Sequence, residues 1–189
     1  VGNPGVKDVI VSDEIKNEFG GIKEKYDSVY FFAGGGKETA EQLRLLYACL
    51  SKTPGNWYLI VGFHPKLVEQ HGNEWRSVIK PFGGRVQEAL PGTGEYWGAI
   101  ADVTVSGAST ILTTAVKMGK VAISLGTQAI KENFAKRNMS MVPQVAMGWA
   151  HNVEKPTDLS KFGRPTPEAL SKLKPHDPKK AFAAIQEIL

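Results

Sequence analysis

The sequence predicts one α/β domain built on a doubly wound, mostly parallel sheet. Short apolar segments alternate with segments of helical periodicity over most of the chain. The apolar segments are continuous, whereas a strand with one face in water alternates apolar and polar residues. Continuous apolar segments favour strands that helices bury on both faces. A chain of 189 residues with 42% hydrophobic composition is long enough to bury one such core.

The first two strand and helix pairs carry the clearest signals. Residues 28–33 form a continuous apolar segment rich in aromatic side chains, and residues 37–50 then carry apolar side chains every three or four positions. This spacing predicts a helix with one face on the core. Residues 57–62 repeat the strand pattern, and a helix follows from Pro65 to about residue 79.

The remaining elements are shorter and follow the same order. We predict further strands at 85–89, 102–105 and 121–125, and further helices at 95–100, 110–118 and 129–137. A polar helix at about 9–19, ended by Gly20-Gly21, precedes the first strand, and helices at 167–173 and 178–189 come last. Strands joined by helices favour right-handed crossovers and therefore parallel pairing.

The alternating pattern defines the expected domain organisation. Residues 28–152 form the domain, residues 1–27 a linker and first helix, and residues 153–189 a C-terminal helical appendage. The opening Val1-Gly2-Asn3-Pro4-Gly5 is typical of a linker or turn. We therefore expect a domain taken from a longer protein.

Composition narrows the classes of function. The net charge of +4 suits an acidic ligand or an anionic membrane, and equally an ordinary solvated surface. Basic residues are dispersed and aromatic residues fall in strands, so a nucleic-acid-binding module is not favoured. No apolar run approaches the roughly 18 residues of a membrane span, and the single Cys49 fits a reducing compartment. We expect a cytoplasmic protein, with peripheral contact at the cytoplasmic membrane face left open.

Candidate binding residues follow the predicted strands, because ligands of open parallel sheets bind outside the carboxyl ends of the strands, beside helix N-termini. The glycines would let the backbone approach a ligand closely, or form only a tight turn. The small and hydroxyl-bearing residues after the fourth strand would donate to phosphate oxygens, or only cap a helix. The set comprises Gly34, Gly35, Gly36, His64, Ser106, Gly107, Ala108, Ser109, Thr110, Gly126, Thr127 and Gln128.

Few residues are candidates for acid–base chemistry. Pro65 holds the backbone of His64 extended, so its ring would project into the crevice as a donor, acid or base, or only cap a loop. Glu88, Glu95 and Asp102 are the carboxylates nearest the crevice, and their spacing assigns none of them a role. Asp102 begins a strand, so we expect it at the opposite end of the sheet in a structural role. The remaining histidines lack metal-site spacing, and we expect no metal and no cofactor.

The order of these segments resembles the carboxyl-terminal half of GT-B glycosyltransferases, in particular lipid-A-disaccharide synthase and the N-acetylglucosaminyltransferase that makes lipid II. The likeness extends from residue 1 to about residue 152. It rests on Val1-Gly2-Asn3-Pro4, on residues 32–36, on the Ala-Asp-Val-Thr-Val-Ser-Gly-Ala-Ser-Thr of 101–110, on Met118-Gly119-Lys120, and on Gln128 with Asn133-Phe134-Ala135. The resemblance implies a Rossmann-like domain, one half of a GT-B architecture, that binds a nucleotide-sugar donor, with UDP the expected nucleotide.

The same resemblance implies roles for individual residues. Gly34, Gly35, Gly36, Ser106, Gly107, Ser109 and Thr110 would face the diphosphate, and Gln128 the donor sugar. An amino-terminal domain would bind the acceptor and supply the general base, so this chain alone would bind its ligand without turnover. Thr113 and Thr114 stand at the ribose-equivalent position, where such enzymes usually carry Glu, and a neutral hydroxyl lacks the charge-assisted strength of a carboxylate.

Two alternatives stay open at this point. One is an enzyme of another class on the same fold, a nucleotide-sugar 2-epimerase, which would need acidic residues near the crevice. The other is a non-catalytic binding or scaffolding module that keeps the fold after losing the ribose-binding Glu.

Overall fold

The computed structural model describes residues 9–173. The strands are β1 (Ser28–Gly34), β2 (Trp57–Phe63), β3 (Val86–Glu88), β4 (Val103–Ser106), β5 (Val121–Leu125) and β6 (His151–Val153). They form one six-stranded sheet in the order β3-β2-β1-β4-β5-β6, and every neighbouring pair is parallel. The predicted α/β class and parallel sheet are therefore confirmed. The predicted helix at 178–189 and the linker motif at 1–5 lie outside the described residues.

Helices cover both faces of the sheet. They are α1 (Asp13–Lys23), α2 (Thr39–Leu50), α3 (Pro65–Ile79), α4 (Gly94–Ile100), α5 (Ile111–Lys117), α6 (Gln128–Ala135), α7 (Pro143–Ala146) and α8 (Pro167–Ser171). The side chains of β1 alternate between two cores. Tyr30 and Phe32 pack with Leu43 and Trp75 on one side, and Phe31 packs on the other side with a second buried cluster that includes Trp97 and Leu112. This double burial explains why β1 is apolar at consecutive positions.

The sheet has one strand more than the five predicted. β6 pairs with β5 through Ile123 and His151, Ser124 and Asn152, and Leu125 and Val153. A three-residue edge strand of His, Asn and Val is too short to show periodicity in sequence. The His151 ring is held by the Gly163 carbonyl oxygen at 2.8 Å from Nε2 and by stacking on Phe162, so tertiary contacts define this strand.

The first helix begins and ends about four residues later than predicted, and the expected stop at Gly20-Gly21 was wrong. α1 continues to Lys23, and Glu24 N donates to Gly20 O at 3.1 Å. Ser12 caps its start by accepting from Ile15 N, while Ile15 is buried and Ile22 packs against the same core. Burial of apolar side chains on both sides of the glycines outweighs the helix-breaking tendency of about 1 kcal/mol per glycine.

Asp102 lies at the amino-terminal edge of the sheet, away from the strand ends considered below. Its carboxylate accepts hydrogen bonds from Val29 N at 2.9 Å and from Lys23 Nζ at 3.0 Å. These contacts tie α1 to the starts of β1 and β4, which is the structural role that its position predicts. Within residues 9–173, no helix is long and apolar enough to cross a membrane.

Candidate functional site

A crevice of about 490 Å³ opens at the carboxyl ends of the strands. It lies over β1 and β4, where the strand order reverses direction: β2 and β3 extend to one side of this pair, and β5 and β6 to the other. In doubly wound sheets such a switch point leaves a gap between the loops, and ligands bind there.

Most of the predicted site residues meet at this crevice. His64, which follows β2, lines the same space as Ser109, which follows β4, although the two lie 45 positions apart in sequence. The other predicted residues that line it are Gly34, Gly35, Ser106, Gly107, Ala108, Thr110 and Thr114. His64 is exposed, and its backbone N donates to Gly34 O at 2.9 Å, which fixes the start of α3 against the end of β1.

Two glycines of the crevice lining pack closely against neighbouring side chains. A Cβ atom on Gly34 would lie 2.6 Å from Cγ2 of Thr39, and one on Gly107 would overlap the side-chain amide of Gln42 and approach Ile130 to 2.8 Å. Neither position can carry a side chain without moving its neighbours. Glycine at both positions is therefore required by the packing of the loops against α2 and α6.

Ser106 does not offer a free hydroxyl to the crevice. Its Oγ donates to Ala33 O at 2.8 Å and joins the ends of β4 and β1. Ser124 makes a similar link on the next strand, with Oγ donating to Gly107 O at 2.7 Å. Both serines shape the floor, so the hydroxyls left for a ligand in this loop are those of Ser109 and Thr110.

The loop before α5 carries these two hydroxyls. Ser109 is half-buried and its Oγ accepts a hydrogen bond from Ile111 N at 3.3 Å, while Thr110 is exposed. The capping interpretation of Ser109 is thus correct, and it is compatible with ligand binding because the hydroxyl hydrogen remains free to donate.

Thr113 and Thr114, which the sequence resemblance places at a ribose-equivalent position, differ in their surroundings. Thr114 lines the crevice, whereas the Thr113 hydroxyl faces Gln144, whose Nε2 lies 3.4 Å from Oγ1. The same Nε2 donates to Ser109 O at 3.3 Å. Gln144 therefore links the backbone of Ser109 to the side chain of Thr113. Thr114 is the threonine that a ligand in the crevice could contact.

Gly36, Gly126, Thr127 and Gln128 do not line the crevice. Gly36 N donates to Thr39 Oγ1 at 3.3 Å inside the loop. Gln128 is exposed at the start of α6, where its backbone N donates to Glu41 Oε1 at 3.1 Å and its side-chain amide to Glu132 Oε1 at 2.9 Å. The proposed contact of Gln128 with a donor sugar stays a prediction.

The structure adds polar residues that sequence reasoning did not select. Glu38 and Gln42 of the α2 segment line the crevice. Of the carboxylates considered from the sequence, Glu95 also lines it, whereas Glu88 is held outside it by a bidentate pair with Arg76 at 2.9 and 2.8 Å. The sequence did contain a signal for this pair: Glu38 and Gln42 lie four positions apart just after the glycine loop that ends a strand, which places them on one face of the following helix. Within residues 9–173, no group of three or more His, Cys, Asp or Glu side chains could hold a metal ion.

Part of the crevice lining is apolar. The apolar residues of the lining include Phe31, Phe63, Ala89, Leu90, Pro91 and Ile111. Leu90 is 63% exposed, so a ligand in the crevice can cover it. The crevice thus offers an apolar surface beside hydroxyl, amide and carboxylate groups, as small-molecule sites commonly do.

Comparisons with known proteins identify the fold. No family model and no curated protein matches the sequence. Among solved structures, a glycosyltransferase from Rickettsia africae is similar over 93% of this chain and 43% of its own, with a TM-score of 0.52 and 10% identity. The chain has a GT-B-like Rossmann fold.

Other similar structures have lower scores. The C-terminal domain of the group 1 glycosyl transferase LpcC from Francisella tularensis matches over 78% of this chain and 77% of its own, with a TM-score of 0.48 and 14% identity. The UDP-GlcNAc 2-epimerase of Neisseria meningitidis matches over 77% of this chain and 38% of its own, with the same TM-score and identity. This chain therefore spans less than half the length of two of the three structures named.

Proposed function

We propose that this chain is the domain of a glycosyltransferase that binds the nucleotide-sugar donor, with a uridine diphosphate sugar as the donor. The observation that carries the proposal is the crevice at the switch point between β1 and β4, with Gly34 and Gly107 on its floor. The fold, shared with the Rickettsia glycosyltransferase, supports it.

The polar side of the crevice suits a diphosphate. Ser109 and Thr110 line the crevice and place hydroxyl donors beside the start of α5, where phosphate oxygens can accept from them. Such donors hold phosphate oxygens without a metal ion, and in a transfer reaction they would stabilise the diphosphate as it leaves.

The apolar side suits a nucleobase. A planar base can cover Leu90 and Pro91 and so remove an exposed leucine from water. The sequence resemblance to lipid-A-disaccharide synthase and the lipid II N-acetylglucosaminyltransferase is the reason for choosing uridine. In this proposal the acceptor is held by a further domain, because this chain matches 43% of the Rickettsia enzyme, and the chain alone binds without turnover.

Calorimetric titration of the 189-residue chain tests the proposal. We expect UDP to bind at least about tenfold more tightly than uridine, because one charge-assisted hydrogen bond contributes about 1.5–3 kcal/mol. The variant Ser109→Asp should abolish this preference, since its carboxylate would repel the phosphate. Ser77→Asp, on an exposed part of α3 outside the crevice lining, is the matched control and should retain it.

The outcomes separate this proposal from its alternative. Equal affinity for UDP and uridine, or an unchanged preference in Ser109→Asp, would exclude the diphosphate site and favour a scaffolding module without nucleotide binding.

A further inference from the structure

Glu38 and Gln42 form a pair on the crevice side of α2. Gln42 N donates to Glu38 O at 3.0 Å, so the two residues are one helical turn apart on the same face. Both line the crevice at the switch point. We refer to them below as the α2 pair.

Within residues 9–173, neither side chain of the α2 pair makes a hydrogen bond or an ion pair. Gln42 is only 3% exposed, and its amide packs against the Cα side of Gly107. The Glu38 carboxylate packs over Gly36 in the same manner. A buried amide can form up to four hydrogen bonds and is costly to leave unpaired. The polar atoms of both side chains still reach the space of the crevice, so a ligand bound there can supply their hydrogen bonds.

The chemistry of the α2 pair points to hydroxyl groups as that partner. A carboxylate only accepts hydrogen bonds, and a neighbouring amide both donates and accepts, so together they match two adjacent hydroxyls that donate and accept in turn. A phosphate group in direct contact with Glu38 would be repelled, so in this proposal the diphosphate contacts Ser109 and Thr110 and the hydroxyls of the ligand contact Glu38. Among the described residues that line the crevice none is Lys or Arg, so the carboxylate has no cationic neighbour there to neutralise it.

We propose that Glu38 and Gln42 bind a vicinal diol of the ligand, either the 2′,3′-hydroxyls of a ribose or two hydroxyls of the transferred sugar. This inference rests on the proposed function, and it names the residues that form hydrogen bonds with the sugar hydroxyls of the ligand. It accounts for the lack of a carboxylate at Thr113 and Thr114: Thr114 and Glu38 line the same crevice, so the charged hydroxyl contact is supplied from α2 instead of α5.

The test uses calorimetry on the full chain with three probes: UDP, 2′,3′-dideoxy-UDP and UDP-glucose. If the α2 pair binds ribose, the native chain will prefer UDP to the dideoxy compound by about ten- to a hundredfold, the range expected for a charge-assisted hydrogen bond. If it binds the transferred sugar, the native chain will instead prefer UDP-glucose to UDP.

Two variants then assign the preference to these residues. Glu38→Gln and Gln42→Met should each reduce whichever preference the native chain shows, Glu38→Gln to less than about threefold. Glu69→Gln, on an exposed part of α3 outside the crevice lining, should leave it unchanged. Gln42→Met is close in volume and uncharged, and circular dichroism with urea unfolding will verify that each variant is folded.

The results distinguish this inference from the proposal on which it rests. If the native chain does not bind UDP, both the donor-binding proposal and the diol contact of the α2 pair are contradicted. The native chain could bind UDP without either diol preference, or the preference could survive in folded Glu38→Gln and Gln42→Met. Either result would contradict the assignment of the diol contact to the α2 pair and leave the donor-binding proposal intact.

Discussion

Ser106 Oγ donates a hydrogen bond of 2.8 Å to Ala33 O, and this bond joins the carboxyl ends of β4 and β1 beneath the crevice. The two residues are paired in the parallel register of these strands and lie 73 positions apart in sequence. The bond closes the floor at the point where the strand order reverses, so the residues above it are held by a rigid element.

Removing this hydroxyl should weaken the fold. We expect Ser106→Ala to lower the free energy of unfolding by about 1–2 kcal/mol, because a buried carbonyl oxygen loses a donor. Urea denaturation measures the change. Ser171→Ala, on the exposed surface of α8, is the control, and an equal loss in the two variants would show that the link between β4 and β1 contributes nothing specific.

A side chain at Gly107 should disturb the crevice floor. Gly107→Ala would overlap the Gln42 amide and crowd Ile130, so we expect a loss of about 1–3 kcal/mol in unfolding free energy. Gly84→Ala is the matched control, because a Cβ atom there meets no atom within 4 Å and its φ angle is not positive. The control should stay within about 0.5 kcal/mol of the native chain. Similar stability of the two variants would contradict the close packing seen at Gly107.

Tyr30 should make the fold sensitive to alkaline pH. Burial raises the pKa of Tyr30 from 10.0 to about 12, so the unfolded chain loses this proton at a lower pH than the folded chain. The contribution of Tyr30 to stability is therefore fully present below pH 10 and is lost as the pH rises from 10 to 12, by at most about 3 kcal/mol at 1.4 kcal/mol per pKa unit. Urea unfolding at a series of pH values measures this loss.

Tyr30→Phe identifies the residue responsible. Without the phenol, the variant should lose less stability than the native chain between pH 10 and pH 12. Tyr47→Phe removes a tyrosine that is 40% exposed and should follow the native curve. If Tyr30→Phe and the native chain have parallel pH profiles, ionisation of Tyr30 does not limit alkaline stability.

The sequence located the central strands well because their signal is local. β1 and β2 each extend one residue beyond their predicted ends, and β5 coincides with its prediction. Each is a run of apolar side chains buried on both faces, which needs no knowledge of the neighbouring strands. α1 and β6 departed from expectation because packing decided them: Ile22 extends the helix past Gly20-Gly21, and the pairing with β5 defines β6.

The candidate site was predictable in part. The loops after β1, β2 and β4 follow from the rule that ligands bind at strand ends, and Gly34, His64 and Ser109 do line one crevice. The α2 pair was missed because the amphipathic pattern of α2 describes its apolar face. Whether a polar side chain such as Gln42 is buried depends on residues far away in sequence, here Gly107, against which its amide packs.

The sequence by itself determined the alternation of strands and helices, the parallel sheet and the identity of the loops at the strand ends, because these depend on side-chain periodicity and turn residues within short segments. Only the tertiary structure decided that β1 lies beside β4, and hence where the switch point opens, which hydroxyls are already engaged, and that Glu38 and Gln42 face the crevice without partners. Strand order is set by the burial of the whole set of apolar faces at once, and no local pattern encodes it.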